Sequence, residues 1–165
     1  MSLTVGRAEK RARYGGVRSR LDALLDPDSD WVAVMATVAC ELHQAFAAFH
    51  WTGFYRVVAP GLLRVGPYQG GHGCLEISFD RGVCGAAART GETQIVDDVA
   101  AFPGHIACSA TTRSEIVVPI CGEDGALVGL LDVDSDHLSA FDEVDRESLE
   151  ALCVDLGRRY TRASP

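Results

Sequence analysis

Two apolar, β-branched runs, Glu115–Cys121 and Ala126–Asp134, are separated only by Gly122-Glu-Asp-Gly125. Four residues with glycine at both ends form a hairpin turn, and strands joined this closely run antiparallel. Upstream, Trp51–Val58, Leu62–Tyr68 and Cys74–Phe79 read as three more strands, with a turn at Gly61 and a flexible loop at Gln69–Gly73. Gln94-Ile-Val96 is a short fourth, and Pro119 marks a bulge or a sheet edge. Trp31, Val34, Met35, Val38, Leu42, Ala45, Phe46 and Phe49 recur at helical spacing, so a helix is predicted from about Asp30, its N-cap, to Phe49. Gly82–Gly91 predicts a short Ala-rich helix that ends at Gly91. Ser139-Ala-Phe-Asp142 has capping-box spacing and starts a helix predicted to reach about Tyr160. Hairpin-linked strands with helices mostly at the ends predict an α+β fold on an antiparallel sheet.

The 165 residues suit one domain with one sizeable core. No apolar run approaches the roughly 18–20 residues that span a bilayer, so no membrane partner is expected. The N-terminus lacks the apolar core of a signal peptide, which makes a cytoplasmic location the expectation. Residues 1–20 carry six Lys or Arg against one Glu, a net +5, which leaves −13 for the remainder of a chain whose total is −8. A domain this acidic is a poor nucleic-acid binder. Residues 1–20 show little apolar periodicity and are expected to form a basic, flexible tail, with 21–165 as the single domain.

Six cysteines without a signal peptide are expected to be reduced at rest. No close Cys-x-x-Cys pair is present, which weakens zinc. Cys40, Cys121 and Cys153 read as packing. Cys108 differs: it sits in a small-residue loop, three residues after His105, ahead of Glu115 at the mouth of the strand. A thiol placed so reads as a catalytic thiolate, against the plainer reading of a buried small residue. Cys74 follows a glycine-rich loop whose freedom would let it move. Cys84 lies near a helix start, where N–H groups lower a thiol pKa. Trp51, Gly53 and Tyr55 share one strand face, as an aromatic wall with room for a ligand or as ordinary core. Asp132 and Asp134 also share a face, and their repulsion should raise at least one pKa.

In order along the chain stand Trp51-x-Gly-Phe-Tyr55, Gly66-Pro-Tyr-Gln-Gly70, Cys74, Arg81-Gly-Val-Cys84-Gly, Phe102-x-Gly-His-Ile-Ala-Cys108, Ser114-Glu-Ile-Val117 and Leu131-Asp-Val-Asp-Ser135. With these motifs the chain resembles the GAF-domain free methionine-(R)-sulfoxide reductases. The resemblance implies a GAF fold, a six-stranded antiparallel sheet with flanking helices, and often a homodimer. It implies that Cys108 is the catalytic cysteine, Cys74 the resolving one and Cys84 a third redox thiol. Trp51 and Tyr55 would hold the methyl-sulfur end of the substrate, and Glu115, Asp132 and Asp134 would line its polar side. Two positions depart from the family pattern: Ser109 stands where an acid usually follows the catalytic cysteine, and Glu76 where a basic residue is usual.

The scheme so implied is thiolate attack by Cys108 on the sulfoxide sulfur, with a proton supplied to the oxygen by one of the clustered carboxyl groups. A sulfenic acid on Cys108 then condenses with Cys74 to a disulfide, which thioredoxin or a similar external dithiol reduces; no bound cofactor is needed. Two other readings stand beside it. One is a non-catalytic GAF module that senses a small molecule; the other is a metal site built from His105, Cys108, Cys84 and Cys74.

Overall fold

The computed structural model describes residues 6–163. Six strands form one sheet in the order β3-β2-β1-β6-β5-β4, all neighbours antiparallel. They are β1 (Trp51–Ala59), β2 (Leu62–Gly70), β3 (Glu76–Ser78), β4 (Gln94–Val96), β5 (Ser114–Cys121) and β6 (Leu127–Ser135). The α+β expectation and the six-stranded antiparallel sheet hold. Pro119 lies beyond the last residue of β5 that pairs with β4, which is Val117. Its missing N–H therefore falls where β5 is a sheet edge, as its ring requires.

Two-residue alternation sorts the sheet into two faces. Phe54, Ile116, Val118, Ile120, Leu131 and Val133 point to one side, where helices α2 (Trp31–Ala45) and α4 (Glu143–Ala163) pack on them. Tyr55, Leu63, Val117 and Leu130 point to the other, against helix α3 (Gly82–Thr90). Asp30 caps α2, its side chain accepting the Ala33 N–H at 3.0 Å. Gly91 ends α3 with φ of 68°, the left-handed conformation that glycine adopts without steric cost.

Residues 7–24 correct one expectation. Arg7–Leu24 form a helix, α1, rather than a flexible tail. Its stripe of Tyr14, Val17 and Leu21 is buried in the same core as α2 and α4. Lys10 belongs to that stripe: its Nζ lies 2.5 Å from Asp145 and 3.3 Å from Asp142, and the Tyr14 hydroxyl donates to Asp145 at 2.7 Å. The basic residues beside the stripe pair outward, Arg11 with Glu147 and Arg20 with Glu41.

The capping box of α4 is also displaced by three residues. Asp142, not Ser139, accepts the Val144 N–H at 2.8 Å, and Asp145 reciprocates on the Asp142 N–H at 2.8 Å. Asp145 is thus both the far half of the cap and the anchor of α1. Two cysteines depart from the packing role: Cys121 is exposed, and Cys40 is half-buried and accepts from Gln44. Cys153 is buried as expected.

Candidate active site

The site lies on the α3 side of the sheet, and strand register assembles it. On β6, Asp134 sits between Trp51 of β1 and Glu115 of β5, and Asp132 sits between Gly53 and Val117. Three carboxyl groups and an aromatic residue, distant in sequence, thereby share one face. Trp51 and Tyr55 stack at 5.9 Å, and Tyr68 of β2 stacks on Trp51 at 5.3 Å. Gly53 is not a gap left for a ligand. A Cβ there would come within 2.4 Å of the Tyr68 Cβ and 2.6 Å of the Trp51 ring, so the indole itself fills that space.

The aromatic residues hold the loop above them. Trp51 Nε1 donates to the Gly71 carbonyl and the Tyr55 hydroxyl to the Cys74 carbonyl, both at 3.1 Å. Gly73 lies against both rings, where a Cβ would stand 3.0 Å from Trp51 and 3.2 Å from the Tyr55 hydroxyl. The loop delivers Cys74 to Cys108, and the two form a disulfide with a Cα–Cα separation of 5.2 Å. Glu76 pairs with Arg64 across β2 and β3 at 2.7 Å, so it helps to seat the strand that follows Cys74.

Beneath the disulfide remains a cavity of about 40 Å³. Cys108, Cys84, Glu115, Asp132, Asp134, Trp51 and Tyr55 all line it, so every site residue expected from the sequence converges here, with Cys74 joined through its bond to Cys108. Ser109, Thr112, His105, His72 and Arg81 line it as well. Of these, Arg81 stands out in the sequence only as part of a motif, and Thr112 not at all, because a threonine in a polar loop carries no pattern.

Burial governs the electrostatics. Glu115 and Asp132 are 7% and 5% exposed. Burial lifts the Glu115 carboxyl well above the usual range, and the charges of Asp132 and Asp134 add to the effect. Asp132 is pushed up to about 7 by burial, against the pull of hydrogen bonds from Cys84 and Glu115. Asp134 is raised by burial and then by Asp132, while a hydrogen bond from Thr112 pulls it back. The expected rise thus embraces all three acids. Protonated carboxyl groups here sit ready to donate at neutral pH.

Cys84 corrects a further expectation. Its position at the start of α3 does not lower its pKa. Full burial, then the charges of Asp132 and Glu115, raise it well above the ordinary value. The thiol is therefore protonated, and its S–H donates to Asp132 Oδ2 at 3.4 Å. The other oxygen, Asp132 Oδ1, is buried and lacks a hydrogen-bond partner. His105 has its pKa lowered by burial and is uncharged at neutral pH.

The metal reading also changes. Cys74 and Cys108 are bonded to each other rather than spaced as ligands. Among the described residues, the group with ligand atoms within 4.8 Å of one another is Cys84, Glu115 and Asp132. No helix of the described residues is long and apolar enough to cross a membrane.

Comparisons with known proteins identify relatives of the chain. Residues 30–158 match the GAF domain family. The chain is 43% identical over 137 residues to the free methionine-R-sulfoxide reductase of Saccharomyces cerevisiae, which covers 79% of this chain and 76% of that protein. It is 34% identical over 143 residues to the Escherichia coli protein of the same name, with 87% and 86% covered. The X-ray structure of the Neisseria meningitidis free methionine-R-sulfoxide reductase, in complex with its substrate, superposes with a TM-score of 0.86 at 40% identity, covering 99% of this chain and 95% of that one. With its fold, its motifs and its relatives in agreement, the chain belongs to the GAF-domain free methionine-(R)-sulfoxide reductase family.

Proposed function

We propose that this protein reduces free L-methionine-(R)-sulfoxide to methionine, with Cys108 as nucleophile and Cys74 as resolving thiol. The observation that carries the reading is the Cys74–Cys108 disulfide beside a cluster of three acids, Glu115 and Asp132 buried and Asp134 half-buried. In the first step the Cys108 thiolate attacks the sulfoxide sulfur. A carboxyl group of the Glu115, Asp132 and Asp134 cluster donates a proton to the oxygen, which passes to Cys108. The sulfoxide is thereby reduced by two electrons to the thioether, and Cys108 is oxidised to a sulfenic acid. The Cys74 thiol then displaces that oxygen as water and forms the S–S bond. An external dithiol such as thioredoxin returns both cysteines to thiols by exchange.

Cys84 enters this scheme as a positioned thiol. Buried and protonated, it orients Asp132 through its S–H and stands apart from the exchange between Cys74 and Cys108. Asp132 Oδ1, buried and without a hydrogen-bond partner, suits a donor from the substrate. Trp51 and Tyr55 are 3% and 2% exposed, so a ligand meets ring edges on the cavity side rather than a slot between the rings. A cytoplasmic setting and a homodimer complete the proposal.

Methionine release tests it. Reduced protein is mixed with free L-methionine-(R)-sulfoxide, the (S) epimer or the N-acetylated sulfoxide, with dithiothreitol present and Cys108→Ser as control. Methionine from the free (R) form alone, abolished in the control, is the expected result. No methionine from any of the three, with thiols intact, would transfer the reading to a ligand-sensing GAF module.

A further inference from the structure

We infer that Arg81 is the specificity-determining residue for the free α-carboxylate of the substrate, an inference that rests on the activity proposed above. The cavity is lined by three carboxyl groups, and Arg81 is the single Lys or Arg among its described lining residues. A free amino acid brings an ammonium and a carboxylate together. Whichever carboxyl group of the cluster remains ionised suits the ammonium and repels the carboxylate, so the carboxylate needs a cation of its own.

Arg81 meets that need in three ways. First, its guanidinium is uncommitted. Arg11, Arg13, Arg18, Arg20, Arg64 and Arg146 each hold an ion pair, whereas no hydrogen bond or ion pair engages the Arg81 side chain among the described residues. Second, its backbone is fixed although its side chain is free. Its N–H donates to the Ser78 carbonyl at 3.2 Å, and its carbonyl accepts the Gly85 N–H at 3.1 Å. The stem of the side chain is thus held at the cavity rim. Third, Arg81 is the N-cap position of α3, and no side chain caps that helix. The positive end of the helix therefore adds to the field of the guanidinium.

A planar guanidinium receives a carboxylate through two parallel N–H donors, which a lysine ammonium does not reproduce. Such recognition also distinguishes a free amino acid from a methionine within a peptide, whose carbonyl is an uncharged amide. Arg81 touches the end of the substrate remote from the sulfur, so its effect falls on binding rather than on the chemical step.

The test compares the whole reduced protein with Arg81→Ala and Arg81→Lys on two substrates, free methionine (R)-sulfoxide and its C-terminal amide. A hydrogen-bonded ion pair formed on binding predicts a KM for the free acid that is roughly 10- to 100-fold higher in Arg81→Ala, with kcat within about twofold of the parent. Arg81→Lys should fall between. On the amide, parent and Arg81→Ala should have the same KM, because the charge that Arg81 serves is gone. Thermal melts of the three proteins check folding, and Arg81→Lys supplies the answer if the alanine variant is unstable. A free-acid KM unchanged in Arg81→Ala, or raised equally on acid and amide, overturns the inference while leaving the proposed activity intact. A parent that releases no methionine overturns the activity first and the inference with it.

Discussion

Replacing Asp132 by Asn should make the protein more stable above neutral pH while making it a poorer catalyst. In the folded chain the Asp132 carboxyl is pushed from 3.8 to about 7. One pKa unit corresponds to 1.36 kcal/mol, so a rise of roughly three units amounts to about 4 kcal/mol. The sign follows from proton binding. Between these two values the folded state holds the proton and the unfolded state has released it, so stability falls as pH rises. The contribution is fully present below pH about 4 and gone above about 7. Asn carries no titrating proton and lacks this slope. The carboxyl is fully buried, so solvent does not screen the effect. The variant and the parent should therefore have similar stability near pH 4, and the variant should lead by up to about 4 kcal/mol at pH 8. For a chain of this size that lead is roughly 8–16 °C in melting temperature. Urea unfolding of both proteins, with the disulfide intact, at pH 4, 6 and 8 measures it. In the same variant, loss of a general acid would lower the rate about 10²–10⁴-fold. Stability curves that stay parallel across pH would refute the reading of Asp132 as an acid forced to hold its proton.

Two other perturbations address the cysteines and α1. Cys74→Ser should release about one methionine per enzyme and then stall with thioredoxin as reductant; full multiple turnover would assign the resolving role to Cys84, which rapid-quench methionine counting decides. Lys10→Ala leaves Asp145, which is fully buried, without its cation and should cost about 3–5 kcal/mol in denaturant unfolding, and a change under about 1 kcal/mol would mean that α1 contributes little to the fold.

What could be read from the chain depended on whether the cause was local. Alternation along β1 and β6 put Trp51 with Tyr55, and Asp132 with Asp134, on shared faces, because the two-residue period of a strand is written in sequence. The meeting of Asp134 with Glu115 and with Trp51 is set by register between strands, and only the family motifs signalled it. The state of Cys84 depends on two acids that approach it from β5 and β6, which a reading of its own helix could not include. Helix α1 is hidden in the sequence because Lys10 occupies a buried position of its stripe and Gly15-Gly16 interrupts it. The partner that makes that lysine tolerable, Asp145, lies 135 residues away. Asp145 also displaced the cap of α4, since Ser139 and Asp142 both fit the spacing and only the folded loop separates them.

The small volume beside the disulfide implies an order of events in the proposed cycle. The cavity of about 40 Å³ left in the disulfide form is smaller than methionine. In the proposed cycle, then, methionine departs before or as Cys74 reaches Cys108, and a new sulfoxide enters only after the bond is broken. In that cycle, substrate and external dithiol should not share the enzyme. Turnover should follow ping-pong kinetics, with parallel double-reciprocal lines, and methionine should not trap the oxidised form. Two loops closing over one small space thus separate the two half-reactions in time.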